Sequence, residues 1–149
     1  MALPDDKELE SILGDGVDLN TFKQILEMDE PGDNEFSTSI VFGFFEQAEE
    51  TFESMDTALN EKDLDKLSEL GHFLKGSSAT LGLIKVRDGC EKIQRYGKQE
   101  NLDGSPEPDT NVCLERVKEA LTAVKSDYEE VEVGLKKFYD KDDEEEEGA

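Results

Sequence analysis

Two long apolar seams constrain this chain more than anything else in it. From Phe36 to about Asn60, the positions Val41, Phe45, Ala48, Phe52, Met55 and Leu59 are spaced four, three, four, three and four residues apart. From near Asp109 onward, Leu114, Val117, Leu121, Val124, Tyr128, Val131, Leu135 and Phe138 keep the same three-four alternation. Such spacing gathers apolar side chains into one stripe along an α-helix, and a stripe that long needs other helices to cover it. No stretch shows sustained alternation of period two, so the sequence offers nothing to a sheet.

Three shorter segments can supply the cover. Asp18 to Leu26 reads as an amphipathic helix capped by Asp18 or Asn20 and broken at Pro31-Gly32-Asp33. Leu67, Leu70, Leu74, Ser78 and Leu81 mark the core face of a helix from about Asp63 to Leu81, with Gly82 as its stop. Val86, Cys90 and Ile93 line another from about Lys85 to Tyr96, ending near Gly97. Asn101 to Pro108 then reads as a loop. The expected fold is all-α: an antiparallel four-helix bundle with a short additional N-terminal helix. An extended coiled coil is disfavoured because the breaks at Gly82, Gly97 and Pro106-Pro108 turn the chain back. Residues 1–17 read as a flexible lead-in, 18–139 as one helical domain, and 140–149 as a disordered acidic tail.

Charge narrows the function. Sixteen basic against thirty-nine acidic residues give a formal charge of -23. A surface of that sign repels a polyanion, which argues against nonspecific nucleic-acid binding. The run Asp140 to Glu147 holds seven acids and one lysine, or -6, so -17 belongs to the rest of the chain. No apolar run is long enough to cross a bilayer, and Met1 to Glu10 lacks the basic-then-apolar pattern of a secretory signal. The expectation is a soluble, intracellular protein with no membrane partner. Cys90 and Cys113 have no metal-ligand or CxxC spacing and read as reduced core thiols.

The single histidine, His72, falls about 150° from the middle of the Leu67–Leu81 stripe at roughly 100° per residue. It shares that outer face with Asp65, Ser68, Gly76 and Ala79. Gly76 costs a helix interior about 1 kcal/mol relative to alanine, and a closely approaching partner would give that cost a reason. Lys75 stands three residues after His72, near enough for its ammonium to reach an anion carried on the ring. An exposed imidazole, a clear approach and a cation are the needs of a phosphate-accepting nucleophile. A metal site lacks companion ligands, and a serine-hydrolase arrangement lacks its nucleophile elbow and acid–base pair.

The run His72-Phe73-Leu74-Lys75-Gly76-Ser77-Ser78 resembles the core signature of histidine-containing phosphotransfer (HPt) proteins, the carriers of multistep phosphorelays. Met28-Asp29-Glu30, Phe36, the stretch Phe73 to Leu83 and Cys90-Glu91-Lys92-Ile93-Gln94 extend the likeness to free-standing fungal phosphorelay intermediates, over roughly residues 19 to 139. The resemblance implies that His72 accepts and donates the phosphoryl group, Lys75 counters its charge, and Gln94 comes within hydrogen-bonding range. It also implies that Ser77 orients ring or phosphate and that Lys98 offers a second cation, at a position where the fungal proteins tend to carry arginine. Ile25, Met28, Phe36, Ile40 and Phe73 would form an apolar patch for docking, with Gly43, Gln47 and Gly76 permitting close contact.

The implied partners are receiver domains: one of a hybrid sensor kinase and one of a response regulator. The divalent cation of the chemistry belongs to the receiver, so the chain itself needs no cofactor and no metal. The implied protein is a monomeric carrier rather than an enzyme, found in cytoplasm and nucleus. Two other readings compete with it. One is an acidic helical adaptor in which His72 is incidental. The other is a histidine kinase fragment, which lacks glycine-rich nucleotide-binding segments; no ATP-dependent kinase activity is expected.

Overall fold

The computed structural model describes the backbone of residues 6–147 and the side chains of residues 7–139. Six helices follow in order: α1 (Asp6–Leu13), α2 (Leu19–Glu27), α3 (Glu35–Asn60), α4 (Leu64–Leu81), α5 (Ile84–Gly97) and α6 (Thr110–Glu147). Among the described residues there is no strand, only isolated bridges such as Val17 with Leu83.

The helix boundaries have local causes. Asp18 caps α2 by accepting the Asn20 N–H at 3.1 Å, and Asp63 caps α4 by accepting that of Lys66 at 3.1 Å. Gly82 ends α4 in the left-handed conformation at φ 77°, and the Leu83 N–H turns back to the Ser78 carbonyl at 2.9 Å. That tight stop sends α5 back along α4. Helices α3, α4, α5 and α6 form the bundle: α4 packs on both α3 and α5, α5 on α6, and α6 closes on α3.

The seam residues expected from the sequence line the interior, and all of them are buried except Leu59, which is partly so. The buried face of α3 is wider than the seam, because Phe44, Thr51 and Ala58 are also buried. A corner helix touches two neighbours, which broadens its covered stripe beyond two positions per heptad. Phe44, Phe45 and Phe52 surround the Tyr128 ring, with centroids 5.3–6.3 Å away. The Tyr128 hydroxyl donates toward Glu132 at 3.0 Å, and burial together with that carboxylate holds its pKa far above the ordinary phenol range. Cys90 and Cys113 are free, buried thiols, and desolvation pushes Cys90 up to about 12.

Both ends differ from the sequence expectation. Within the segment read as a flexible lead-in, residues 6–13 form α1, which packs on α6 and buries Leu9 and Leu13 in the same core as the bundle. Polar residues dominate that segment, and its two leucines mark only one turn of a helical face, too little to separate from chance. Residues 1–5 lie outside the described residues. At the other end, where a disordered tail was expected from Asp140, the α6 backbone stays helical to Glu147. From Asp140 to Glu147 there is no glycine or proline, and glutamate is a good helix former. Residues 148 and 149 lie outside the described residues.

Leu9 tests whether α1 belongs to the fold. Its side chain is fully buried, so Leu9→Ala should lower the unfolding free energy by about 2–5 kcal/mol, the range for a core leucine. Urea denaturation reads this directly; a truly flexible lead-in would make the substitution silent.

Candidate functional site

His72 lies near the middle of α4 and is exposed, whereas Gly71 before it is buried. That contrast follows from the way α5 lies against α4. A Cβ on Gly71 would stand 2.8 Å from the Cys90 carbonyl oxygen and 2.9 Å from the Gln94 nitrogen. One on Gly97 would stand 2.7 Å from the Leu64 carbonyl oxygen and 2.8 Å from the Ser68 nitrogen. Real Cβ atoms do not come so near to backbone, so glycine at these two positions lets the helices touch main chain to main chain. Ser68 joins the seam by donating its hydroxyl to the Gln94 carbonyl at 3.0 Å. Ser68 is therefore buried at 7% exposure, which corrects the expectation that it shares an outer face with His72. His72 sits instead at the rim of the α4–α5 interface.

The seam brings Gln94 to the histidine. The Gln94 amide nitrogen lies 3.3 Å from His72 Nδ1, and its amide oxygen accepts from Lys75 Nζ at 2.7 Å. One amide thus spans the imidazole and the ammonium, and the three side chains expected to act together do meet. With Nδ1 turned to Gln94, Nε2 is the ring nitrogen left for an incoming group.

Two other candidates are not in this cluster. The Ser77 hydroxyl turns to its own helix, lying 3.4 Å from the Phe73 carbonyl oxygen, and does not orient the ring or reach Lys75. A hydroxyl in a helix has such a carbonyl one turn behind it, and this local bond is the competitor that sequence reading overlooked. Lys98 caps the end of α5 and is exposed, and its side chain forms no hydrogen bond or ion pair with the cluster.

The apolar candidates divide. Met28, Phe36 and Phe73 are exposed at 66%, 44% and 50%, a large apolar expenditure for a chain this size. Gly43 and Gly76 are exposed with open space where a Cβ would stand, Gln47 is half-buried, and Ile40 packs partly on the core. Ile25 is a correction: at 8% exposure it belongs to the core, because α2 turns that residue inward beside Phe22 and Leu26. Sequence reading also missed the fastening of this surface. Asp29 accepts the Ser37 N–H at 2.8 Å and its hydroxyl at 2.6 Å, tying the end of α2 to the start of α3. This clamp holds Met28 and Phe36 on adjoining helix ends. An aspartate eight residues before a serine has no local signature, whereas Gly71 beside His72, with Gly97 across the turn, was a signal available in the sequence.

A family model described as "Hpt domain" matches residues 40–127, and the chain belongs to that family. It is 47% identical over 126 residues to Multistep phosphorelay regulator 1 of Schizosaccharomyces pombe, covering 84% of this chain and 43% of that protein. It is 53% identical over 87 residues to Phosphorelay intermediate protein YPD1 of Candida albicans, covering 58% of this chain and 47% of that one. The chain thus spans about half the length of these curated relatives. Its fold matches the Saccharomyces cerevisiae histidine phosphotransfer signaling protein Ypd1, crystallised with the receiver domain of its downstream response regulator Ssk1. That match has a TM-score of 0.74 and 29% identity, over 87% of this chain and 97% of that one.

The glycine seam predicts how the cluster fails. In Gly71→Ala the gain in helix propensity, about 1 kcal/mol, is set against about 1–3 kcal/mol of overpacking, so stability should fall by up to about 2 kcal/mol. The displaced α5 should carry Gln94 off the ring. Urea unfolding, with proton NMR contacts between the His72 ring and the Gln94 amide, checks both effects.

Proposed function

We propose that this chain is a phosphorelay intermediate, carrying a phosphoryl group on His72 from the aspartate of a hybrid sensor kinase receiver to that of a response regulator receiver. The observation that carries this reading is the exposed His72 ring, held at Nδ1 by an amide that also holds Lys75, beside exposed apolar side chains.

Phosphoryl transfer depends mostly on placing nucleophile and leaving group in line and on neutralising the equatorial oxygens. The Nε2 lone pair attacks phosphorus, the bond from phosphorus to the aspartyl oxygen breaks, and the carboxylate leaves with its electron pair. Lys75, held by the same Gln94 amide as the ring, compensates the charge that arrives on it. The reverse step follows the same path to a second receiver. The receiver supplies the divalent cation that neutralises charge in this chemistry. The chain is a carrier with no ATP-dependent kinase activity of its own.

Docking uses Met28, Phe36, Ile40 and Phe73, with Gly43, Gln47 and Gly76 giving room for the partner's backbone. The crystallised Ypd1 and Ssk1 receiver pair supports that choice of partner. The resemblance to fungal intermediates supports a monomer acting in both cytoplasm and nucleus, which fractionation of tagged protein checks.

Intact-protein mass spectrometry after mixing with a phosphorylated receiver should show one acid-labile phosphoryl group on the wild type and none on His72→Gln. No gain with several competent receivers would leave an apolar-patch adaptor in place of a carrier. Gly76→Ala separates folding from docking. With open space for its Cβ, it should stabilise the helix by about 0.5–1 kcal/mol. In calorimetric titration it should weaken receiver binding by about tenfold, some 1.4 kcal/mol.

A further inference from the structure

The Gln94 amide imposes a condition on the histidine that the carrier chemistry must undo. An ammonium has donors and no acceptor, so the amide atom facing Lys75 at 2.7 Å must be the oxygen. The amide NH2 is then the group 3.3 Å from His72 Nδ1, and it can only donate. Nδ1 must therefore hold its lone pair toward Gln94, and a neutral imidazole with an accepting Nδ1 carries its proton on Nε2. Nε2 is the outward nitrogen assigned to attack, and in this tautomer it has no free lone pair.

We propose that Lys75 is a latch on the His72 ring: by engaging the Gln94 oxygen it keeps the ring proton on Nε2 until an arriving phosphoryl group draws Lys75 away. This inference rests on the carrier reading and adds a control step to the same site. Once the ammonium turns to the phosphoryl oxygens, the Gln94 amide is free to rotate by half a turn and accept from an Nδ1–H. The ring proton leaves Nε2 to water, and Nδ1 gains one from water, so the ring remains neutral. The Nε2 lone pair then forms the bond to phosphorus as the aspartyl carboxylate leaves with the pair of the broken P–O bond. The product ring keeps its Nδ1–H on the Gln94 oxygen and carries one positive charge beside the dianionic phosphoryl group. Total charge is unchanged. An unliganded carrier would thus hold a quiet nucleophile, with the substrate's own charge releasing it. Lys75 acts on the tautomer as a positioning residue, separately from its role as a counter-charge.

Because His72 is the only histidine, long-range 1H–15N correlation spectra of the full-length labelled chain report its tautomer without assignment ambiguity. With the ring neutral, the wild type should show the Nε2–H form. Lys75→Met should raise the Nδ1–H fraction relative to wild type by about fivefold, the population change produced by losing one ordinary hydrogen bond. Lys75→Arg keeps a donor that cannot accept and should retain the wild-type pattern. A wild-type ring mainly in the Nδ1–H form would overturn the latch, as would an unchanged fraction in Lys75→Met or an equal shift in Lys75→Arg. The spectra need no receiver, so a failed latch leaves the mass-spectrometric test of phosphoryl gain intact. Conversely, a chain that takes up no phosphoryl group still reports its tautomer.

Discussion

Everything at the site depends on how near α5 lies to α4. Two helices with ordinary side chains between them keep their axes about 8–10 Å apart, and a side chain on one reaches the other's far rim only if long. Gly71 and Gly97 remove the spacer at two levels of the seam, and Ser68 adds a hydrogen bond to the Gln94 carbonyl between them. Gln94 is consequently held at its backbone from the side of α4, and its short amide can touch both His72 and Lys75. A site built this way is rigid because its support is main chain, which has no rotamers to lose. The same contacts make the ring's surroundings sensitive to one added methyl group.

The molecule divides its apolar residues between two tasks. Most close a single core that includes the two short N-terminal helices, where Phe22 meets Phe138 edge to face at 5.9 Å. A smaller group stays exposed: Met28, Phe36 and Phe73 near the ends of α2 and α3 and on α4, and Phe42, Leu102 and Val133 elsewhere. An acidic chain can keep such residues in water without self-association more easily than a neutral one, because its copies repel one another. The Asp29 clamp on Ser37 then gives the exposed pair on α2 and α3 a fixed relation, so that the patch is presented by the fold.

Much of this was legible in the chain before folding. The two three-four seams and the shorter apolar stripes of Leu67–Leu81 and Val86–Ile93 specify four bundle helices, Pro31 and Gly82 mark helix ends, and the angle between His72 and the leucine stripe places the ring outside the core. These readings succeed because helical periodicity and backbone stops are local, set by residues within a turn or two of one another. The readings that failed concern the second partner of a residue. Ile25 looked available and is buried, Ser68 looked outward and is covered by α5, and the Ser77 hydroxyl bonds its own helix.

Sequence alone determined which faces are apolar, where the helices start and stop, and which side chains could do phosphoryl chemistry. Only the tertiary structure decided which of those side chains meet: the choice of Gln94 over Lys98 and Ser77, the covering of Ile25, and the joining of α1 to the core. The physical reason is that periodicity specifies a direction around one helix axis. The distance across to the next helix depends on the volumes of side chains from both, and at this site on the two positions where there are none.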